Sequence, residues 1–405
     1  MKHLLMLLCS LMAVLGAWAQ MPVFEGTIVD AQTNEPLPFA TIYINKERST
    51  IANADGDFVF KADSSDVVRF TYVGYQTKHV PCSQLSIVVQ LEPIEQTLKE
   101  VVVLPYPLKK FIKAVTKETL RQLQKFKKKK STFFYRQTAF SDTTCYELVE
   151  AFLTGKPAVS LRDLQLTTGR YAGLRPDSVH KYSFYYNFFT FSQVDFASRN
   201  TWPEWRDDIV PLFRNYSIYY DVDYEILGDA PDRLIALRFV PKPEVKRAIL
   251  EATIYVDEQT LRVRKLEGCG RHVAVLHTMK SLGADSVVHN VKNVFRTNFN
   301  YVVHMSEERG FEEVQSVYVT ERHQLGGLPV TTNSILFNLG EQGPQPQYGY
   351  DNYAELKFND NLHRHIEQQE YDSVFWRENE MVRRTPVEHR VVQLFEDKKL
   401  FGVWK

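Results

Sequence analysis

Across residues 26–103 the chain is cut by turn residues into short runs in which apolar and polar side chains alternate. Alternation with period two sends successive side chains to opposite faces of an extended strand, so each run has one face to bury. Strands of this length hide that face by pairing and stacking, which predicts a small antiparallel β-sandwich. Residues 24–29 open it. Ala40-Thr41-Ile42-Tyr43-Ile44 supplies a second strand, and residues 58–60, 67–72, 77–80 and 87–91 supply further ones. Asn53-Ala54-Asp55-Gly56-Asp57 reads as a tight hairpin turn with Gly56 at positive φ. Asn53, Asp55 and Asp57 also resemble part of a calcium loop, but the twelve-residue ligand set ending in a bidentate Glu is incomplete there.

Ahead of this stretch, Lys2 and His3 precede an apolar run over residues 4–15, and Ala17 and Ala19 stand at −3 and −1 of a cleavage site. That is the pattern of a secretory signal peptide on residues 1–19. It predicts an exported protein of the periplasm or outer-membrane periphery, with no later segment approaching the roughly 20 apolar residues of a membrane helix. The 49 Lys+Arg balance the 49 Asp+Glu. A near-neutral chain offers no overall field for nucleic acid or anionic membranes. Aromatic residues at 13% favour β structure. Cys82, Cys145 and Cys269 remain after the leader, and spacing leaves open both a Cys145–Cys269 disulfide and three separate buried thiols.

Gly26, Val29, Asp30, Thr33, Pro36-Leu37-Pro38, Ala40 and Ile42, then Asp55-Gly56 with Phe58, then Val73-Gly74-Tyr75, follow one another in an order that resembles the carboxypeptidase-regulatory-like domain. The resemblance implies a transthyretin-like sandwich over residues 22–103, without peptidase chemistry of its own. It also implies an envelope protein of the Bacteroidota, where this domain often stands ahead of TonB-dependent receptors.

Leu104-Pro105-Tyr106-Pro107 marks a boundary. Phe111, Ile112, Val115, Thr119, Leu120 and Leu123 then recur at helical spacing, giving a linker helix with a basic end over residues 104–130. The lysines at 125 and 127–130 could attract anionic headgroups. They also read as a solvated helix end whose charge suits the dipole, and that second reading is preferred. Residues 131–405 alternate through many longer strands, with helices expected at 203–213 and 387–400. The predicted architecture is mainly β: a small antiparallel sandwich, a helix, and a large curved antiparallel sheet with a few helices. Residues 224–265 are similar to the half-barrel of periplasmic lipoprotein carriers, a likeness that alternating strands alone generate. The frame Phe134-Tyr135-Arg136, Tyr146, Glu150-Ala151 and the tail Tyr371-Asp372-Ser373-Val374-Phe375-Trp376 resemble the periplasmic part of uncharacterised carboxypeptidase-regulatory-like proteins of the Bacteroidota.

No phosphate loop, nucleophile elbow or His-Glu-x-x-His stands in the sequence. His363 and His365 fall short of a zinc ligand set. Cys145 with His180 or His272 lacks a local thiol-enzyme signature. No catalytic, cofactor or metal residue is therefore assigned. The candidate apolar ligand lining is Tyr182, Phe184, Tyr186, Phe188, Trp202 and Trp205, although such residues more often fill a core. The expected function is a non-catalytic binding or scaffold role, with a protein partner in the envelope or an apolar ligand. The rivals are a lipid or lipoprotein carrier with a half-barrel cavity, an envelope hydrolase and a membrane barrel.

Overall fold

The computed structural model describes residues 21–45, 48–94, 104, 106–126, 128–141, 144–155, 164–173, 194, 196–198, 208–229, 231–274, 296–325, 328–341, 354–355 and 362–402. The chain divides into two compact units, the first reaching Leu91 less Val73–Gln76 and the second holding those four residues and everything from Glu92 onward. Each is mainly β, as the alternation predicts.

In the first unit β1 (Val23–Asp30) lies between β4 (Asp57–Lys61) and β7 (Val88–Leu91). A second sheet runs in the order β3 (Ser49–Ile51), β2 (Thr41–Tyr43), β5 (Val67–Thr71), β6 (Lys78–Pro81). Phe58 of β4 and Phe70 of β5 meet between the sheets with ring centroids 5.5 Å apart. Ile28, Ile42, Ile51 and Val68 join them in full burial. The sandwich departs from the expectation in one pairing: β1 and β7 run parallel, because the chain crosses from the second sheet to the first through a 3-10 turn at Cys82–Gln84. The predicted turn is present. Asn53 accepts the N–H groups of Asp55 and Asp57 at 2.9 Å each, and Gly56 has φ +78°, a conformation that costs glycine little.

The second unit opens with α1 (Leu108–Phe126). Its sheet runs β12 (Tyr220–Leu227), β13 (Leu234–Pro241), β14 (Ala248–Asp257), β15 (Val263–Ala274), β16 (Arg296–Met305), β17 (Val314–Leu325), β18 (Leu328–Gly340), then β8 (Ser131–Ser141), β9 (Thr144–Gly155), β10 (Gln165–Gly173) and β19 (Ala354–Glu355). Every pairing along that path is antiparallel. The short β11 (Asp208–Ile209), off that path beside β14, pairs in parallel. Residues 203–213 are therefore not the expected helix as far as they are described. Ile209 and Val210 are β-branched and Pro211 has no N–H to give, so the segment extends instead.

Phe111, Ile112, Val115, Leu123 and Phe126 of α1 share one hydrophobic cluster with alternate residues of the sheet, among them Phe133 and Tyr135 of β8 and Val149, Ala151 and Leu153 of β9. The intervening residues of β8 to β10 point the other way. There they meet α3 (Ser373–Glu378) and α4 (Pro386–Asp397), with Leu148, Ala172, Val392, Phe395 and Phe401 in a second cluster. A short α2 (Leu362–Ile366) adds Leu362 and Ile366 to the first cluster. One close approach sets the register farther along. Tyr301 of β16 donates its hydroxyl to the Glu251 carbonyl of β14 at 2.9 Å, spanning Gly268 of β15, where a Cβ would collide with that carbonyl oxygen.

Candidate functional site

Three adjacent strands place three charges side by side. Arg136 of β8 pairs in register with Glu150 of β9, and Glu150 with Arg170 of β10. Side chains in one row across a sheet share a face, and this face is the one that α3 and α4 cover. The row is accordingly dry: Arg136, Glu150 and Arg170 are 3%, 1% and 1% exposed.

Burying a lone carboxylate would cost several kcal/mol, and the fold answers with three guanidinium groups. Arg136 Nε donates to Glu150 Oε1 at 2.7 Å. Arg170 gives Glu150 Oε2 two bonds, from Nε at 2.9 Å and Nη2 at 2.6 Å. Arg384, in the turn ahead of α4, adds Nη2 at 3.4 Å. Arg136 also donates to the Val382 carbonyl at 2.9 Å. Glu388 lies 3.7 Å from Arg136, Glu396 3.5 Å from Arg170 and Glu380 3.4 Å from Arg384, which offsets the arginine charge. The Arg170 guanidinium faces the rings of Trp376 and Phe401, at 4.9 Å and 4.6 Å from their centroids. Asp372 caps α3 by accepting from Val374 and Phe375, and Thr385 with Glu388 forms a capping box on α4. The tail is thus fixed at its helix ends as well as at its charges.

Burial alone would raise the Glu150 pKa, but Arg384, Arg170 and Arg136 outweigh it and hold this carboxyl well below the usual carboxylate range. The group is ionised, with both oxygens occupied by arginine donors. It is a clamp between sheet and tail, with no geometry for taking a proton from a substrate. Three further groups, Cys145, His304 and Cys269, are shifted as well. Burial, with Glu388 and Glu147 nearby, pushes the Cys145 thiol up to about 12. Burial and Lys265 push His304 down to about 3. Burial first, and then Glu251, raise the Cys269 thiol, although the neighbouring Arg271 opposes them. Cys82, Cys145 and Cys269 are free thiols, the first two buried and the third half-buried, which resolves the pairing left open by spacing.

On the opposite face, Tyr135 donates to Gln137 at 2.8 Å and Gln137 to Glu147 at 3.2 Å, a short buried polar string beside the α1 cluster. Among the described residues no group of three or more His, Cys, Asp or Glu side chains could hold a metal ion, and no helix is long and apolar enough to cross a membrane. The candidate lining Tyr182, Phe184, Tyr186, Phe188, Trp202 and Trp205 lies outside the described residues, as does His180. Sequence reasoning missed the Glu150 cluster. Its one local signal was charge at an otherwise apolar strand position, Arg136 after Phe134 and Glu150 between Leu148 and Phe152.

Known proteins resemble separate parts of this chain. Over 107 residues it is 31% identical to the TonB-dependent receptor SusC of Bacteroides thetaiotaomicron, which covers 26% of this chain and only 10% of that receptor. Among solved structures, a LolA superfamily protein from Nitrosomonas europaea aligns at 9% identity over 54% of this chain and 90% of its own, with a TM-score of 0.22. One chain of the MucA/MucB complex of Pseudomonas aeruginosa aligns at 10% identity over 55% of this chain and 93% of its own, with a TM-score of 0.16. Scores that low do not establish a common fold for the large sheet. Residues 24–103, which hold both sheets of the sandwich, are different, for they match a family directly: the chain carries a CarboxypepD_reg-like domain.

Proposed function

We propose that this is an exported envelope protein of the Bacteroidota with a non-catalytic binding or scaffolding role at the periplasmic side of the outer membrane. The observation that carries the non-catalytic part is the state of three buried titratable groups. Glu150 is held ionised by three arginines, Cys145 is held as the thiol and His304 as the neutral imidazole. General acids and bases work best with a pKa near the operating pH, and a reactive cysteine needs a lowered one. These groups are shifted the opposite way. The leader-like residues 1–19 and the match to part of a TonB-dependent receptor support the location.

In this reading the sandwich is an interaction module and the large sheet a rigid platform. A carrier of apolar cargo is the rival. It would have to displace Phe111, Ile112, Val115 and Leu123, which already fill one buried cluster with the apolar side of the sheet. The test is cell fractionation combined with in-cell crosslinking and native mass spectrometry of the purified chain. A cytosolic protein defeats the location. Stoichiometric co-purifying lipid favours the carrier, and a crosslinked envelope protein with no bound lipid favours the scaffold.

A further inference from the structure

The outer half of α1 carries a concentration of charge that the neutral composition conceals. Lys109, Lys113, Lys117, Arg121 and Lys125 recur every fourth residue, with Lys110 beside them, and all are exposed. Residues four apart are neighbours on a helix, so these cations occupy the side opposite the buried stripe of Phe111, Ile112, Val115, Leu123 and Phe126. Over its 19 residues the helix extends about 28 Å.

The preference for a solvated, dipole-favoured helix end explains only one end of this row. At the C-terminal end, Lys125 pairs with Glu312 and Lys129 with Glu313, each at 2.8 Å, and Arg121 pairs with Glu118 at 2.6 Å. At the N-terminal end, Lys109, Lys110, Lys113 and Lys117 have no carboxylate within ion-pair distance among the described residues. Lys109 and Lys110 stand in the first turn, which contains no acid and where the macrodipole disfavours positive charge. Like charges at i,i+4 also repel along the row. The apolar face of α1 holds this unfavourable arrangement in place, so its presence is not explained by helix stability.

We propose that the N-terminal half of α1 docks the protein electrostatically onto a bilayer surface of anionic phosphate headgroups. The row lies on a convex helix surface, which fits a plane better than a strand of polymer seated in a groove. Its free members are all lysine, a compact point charge suited to a diffuse anionic surface, whereas recognition of a shaped anion favours the planar arginine fork. The apolar face of α1 is already buried in the core, so docking is peripheral and reversible. This inference takes from the proposed function only the exported location.

The test uses residues 20–405 in flotation assays with vesicles of phosphatidylcholine alone or mixed with phosphatidylglycerol. The expected result is binding to the anionic vesicles at 0.1 M salt, little to the neutral ones, and release at 0.5 M. Each lysine near an anionic surface is worth about fivefold in partition. The combined Lys109→Gln, Lys110→Gln, Lys113→Gln and Lys117→Gln variant should therefore bind on the order of 600-fold more weakly if all four face the surface, and ~30-fold if only two do. Its melting temperature should hold or rise, because it loses only repulsion. Equal binding to both vesicle types, unchanged binding by the variant, or a fall in its melting temperature would overturn the proposal. So would soluble heparin that displaces the vesicles and binds as tightly, since the partner would then be an acidic polymer. A cytosolic location in cells would remove the exported reading while leaving the vesicle result to stand on its own.

Discussion

Strands β8, β9 and β10 bury both faces, one in the cluster shared with α1 and the other against the C-terminal helices, and the two faces use different chemistry. On the first face the burial is mainly apolar, with Phe111 and Leu123 in one cluster with Phe133 and Leu153 beside the short Tyr135–Gln137–Glu147 string. Toward the C-terminal helices, apolar residues surround a buried carboxylate and three arginines. Apolar burial is strong and tolerant of small shifts. A buried ion cluster is weak evidence of net stability, but it is intolerant of losing one member. One side therefore supplies bulk stabilisation, and the other fixes where the tail docks.

The largest expected effect is on the ionic side. Glu150→Gln leaves three buried cations without their anion and should cost about 3–5 kcal/mol in urea denaturation of the full chain. A loss below about 1 kcal/mol would mean that water or the outer carboxylates replace it. Acid offers a milder version of the same change. The folded pKa of Glu150 is depressed, so its stabilisation is present above the unfolded carboxylate pKa and disappears as pH falls through the folded one. Protease protection of residues 371–402 should persist at pH 5 and fail only in strong acid. Early release near pH 5 would show that Glu150 is not the clamp.

On the apolar side, Leu123→Ala should cost about 2–4 kcal/mol with no change in the pH profile. A shifted acid limb would mean that the two covers are coupled through the strands. Thr385→Ala removes the capping box of α4 and should cost about 1 kcal/mol, read as faster hydrogen exchange confined to α4. The smallest effect belongs to the surface. Lys125→Gln breaks the exposed pair with Glu312 and should change stability by about 0.2–1 kcal/mol, shrinking further in 0.5 M salt.

Much of this architecture is legible in local sequence. Alternation gave β12, β13 and β14 within a few residues of their ends, and helical spacing gave α1 and α4, because each signal lies within one element. In residues 208–213 the extended preference of Ile209, Val210 and Pro211 overrides the apolar spacing that suggests a helix. The Glu150 cluster was hidden for a different reason. The Arg136–Val382 bond spans 246 positions and the Arg384–Glu150 contact 234, and no periodicity within a strand carries such a pairing. The α1 row is half legible: the lysine run at its end stands out in the sequence, while the whole-chain balance of charge obscures the lysines at its start.

The pairing of β18 with β8 has a consequence for how the chain matures. Those strands lie at opposite ends of the long meander, so the central seam of the sheet cannot close until nearly all of the second unit has emerged from the ribosome or crossed a membrane. Until then both strands expose unsatisfied edges. Such a topology has high contact order and folds slowly, leaving a window in which holding factors or neighbouring copies compete for the open seam.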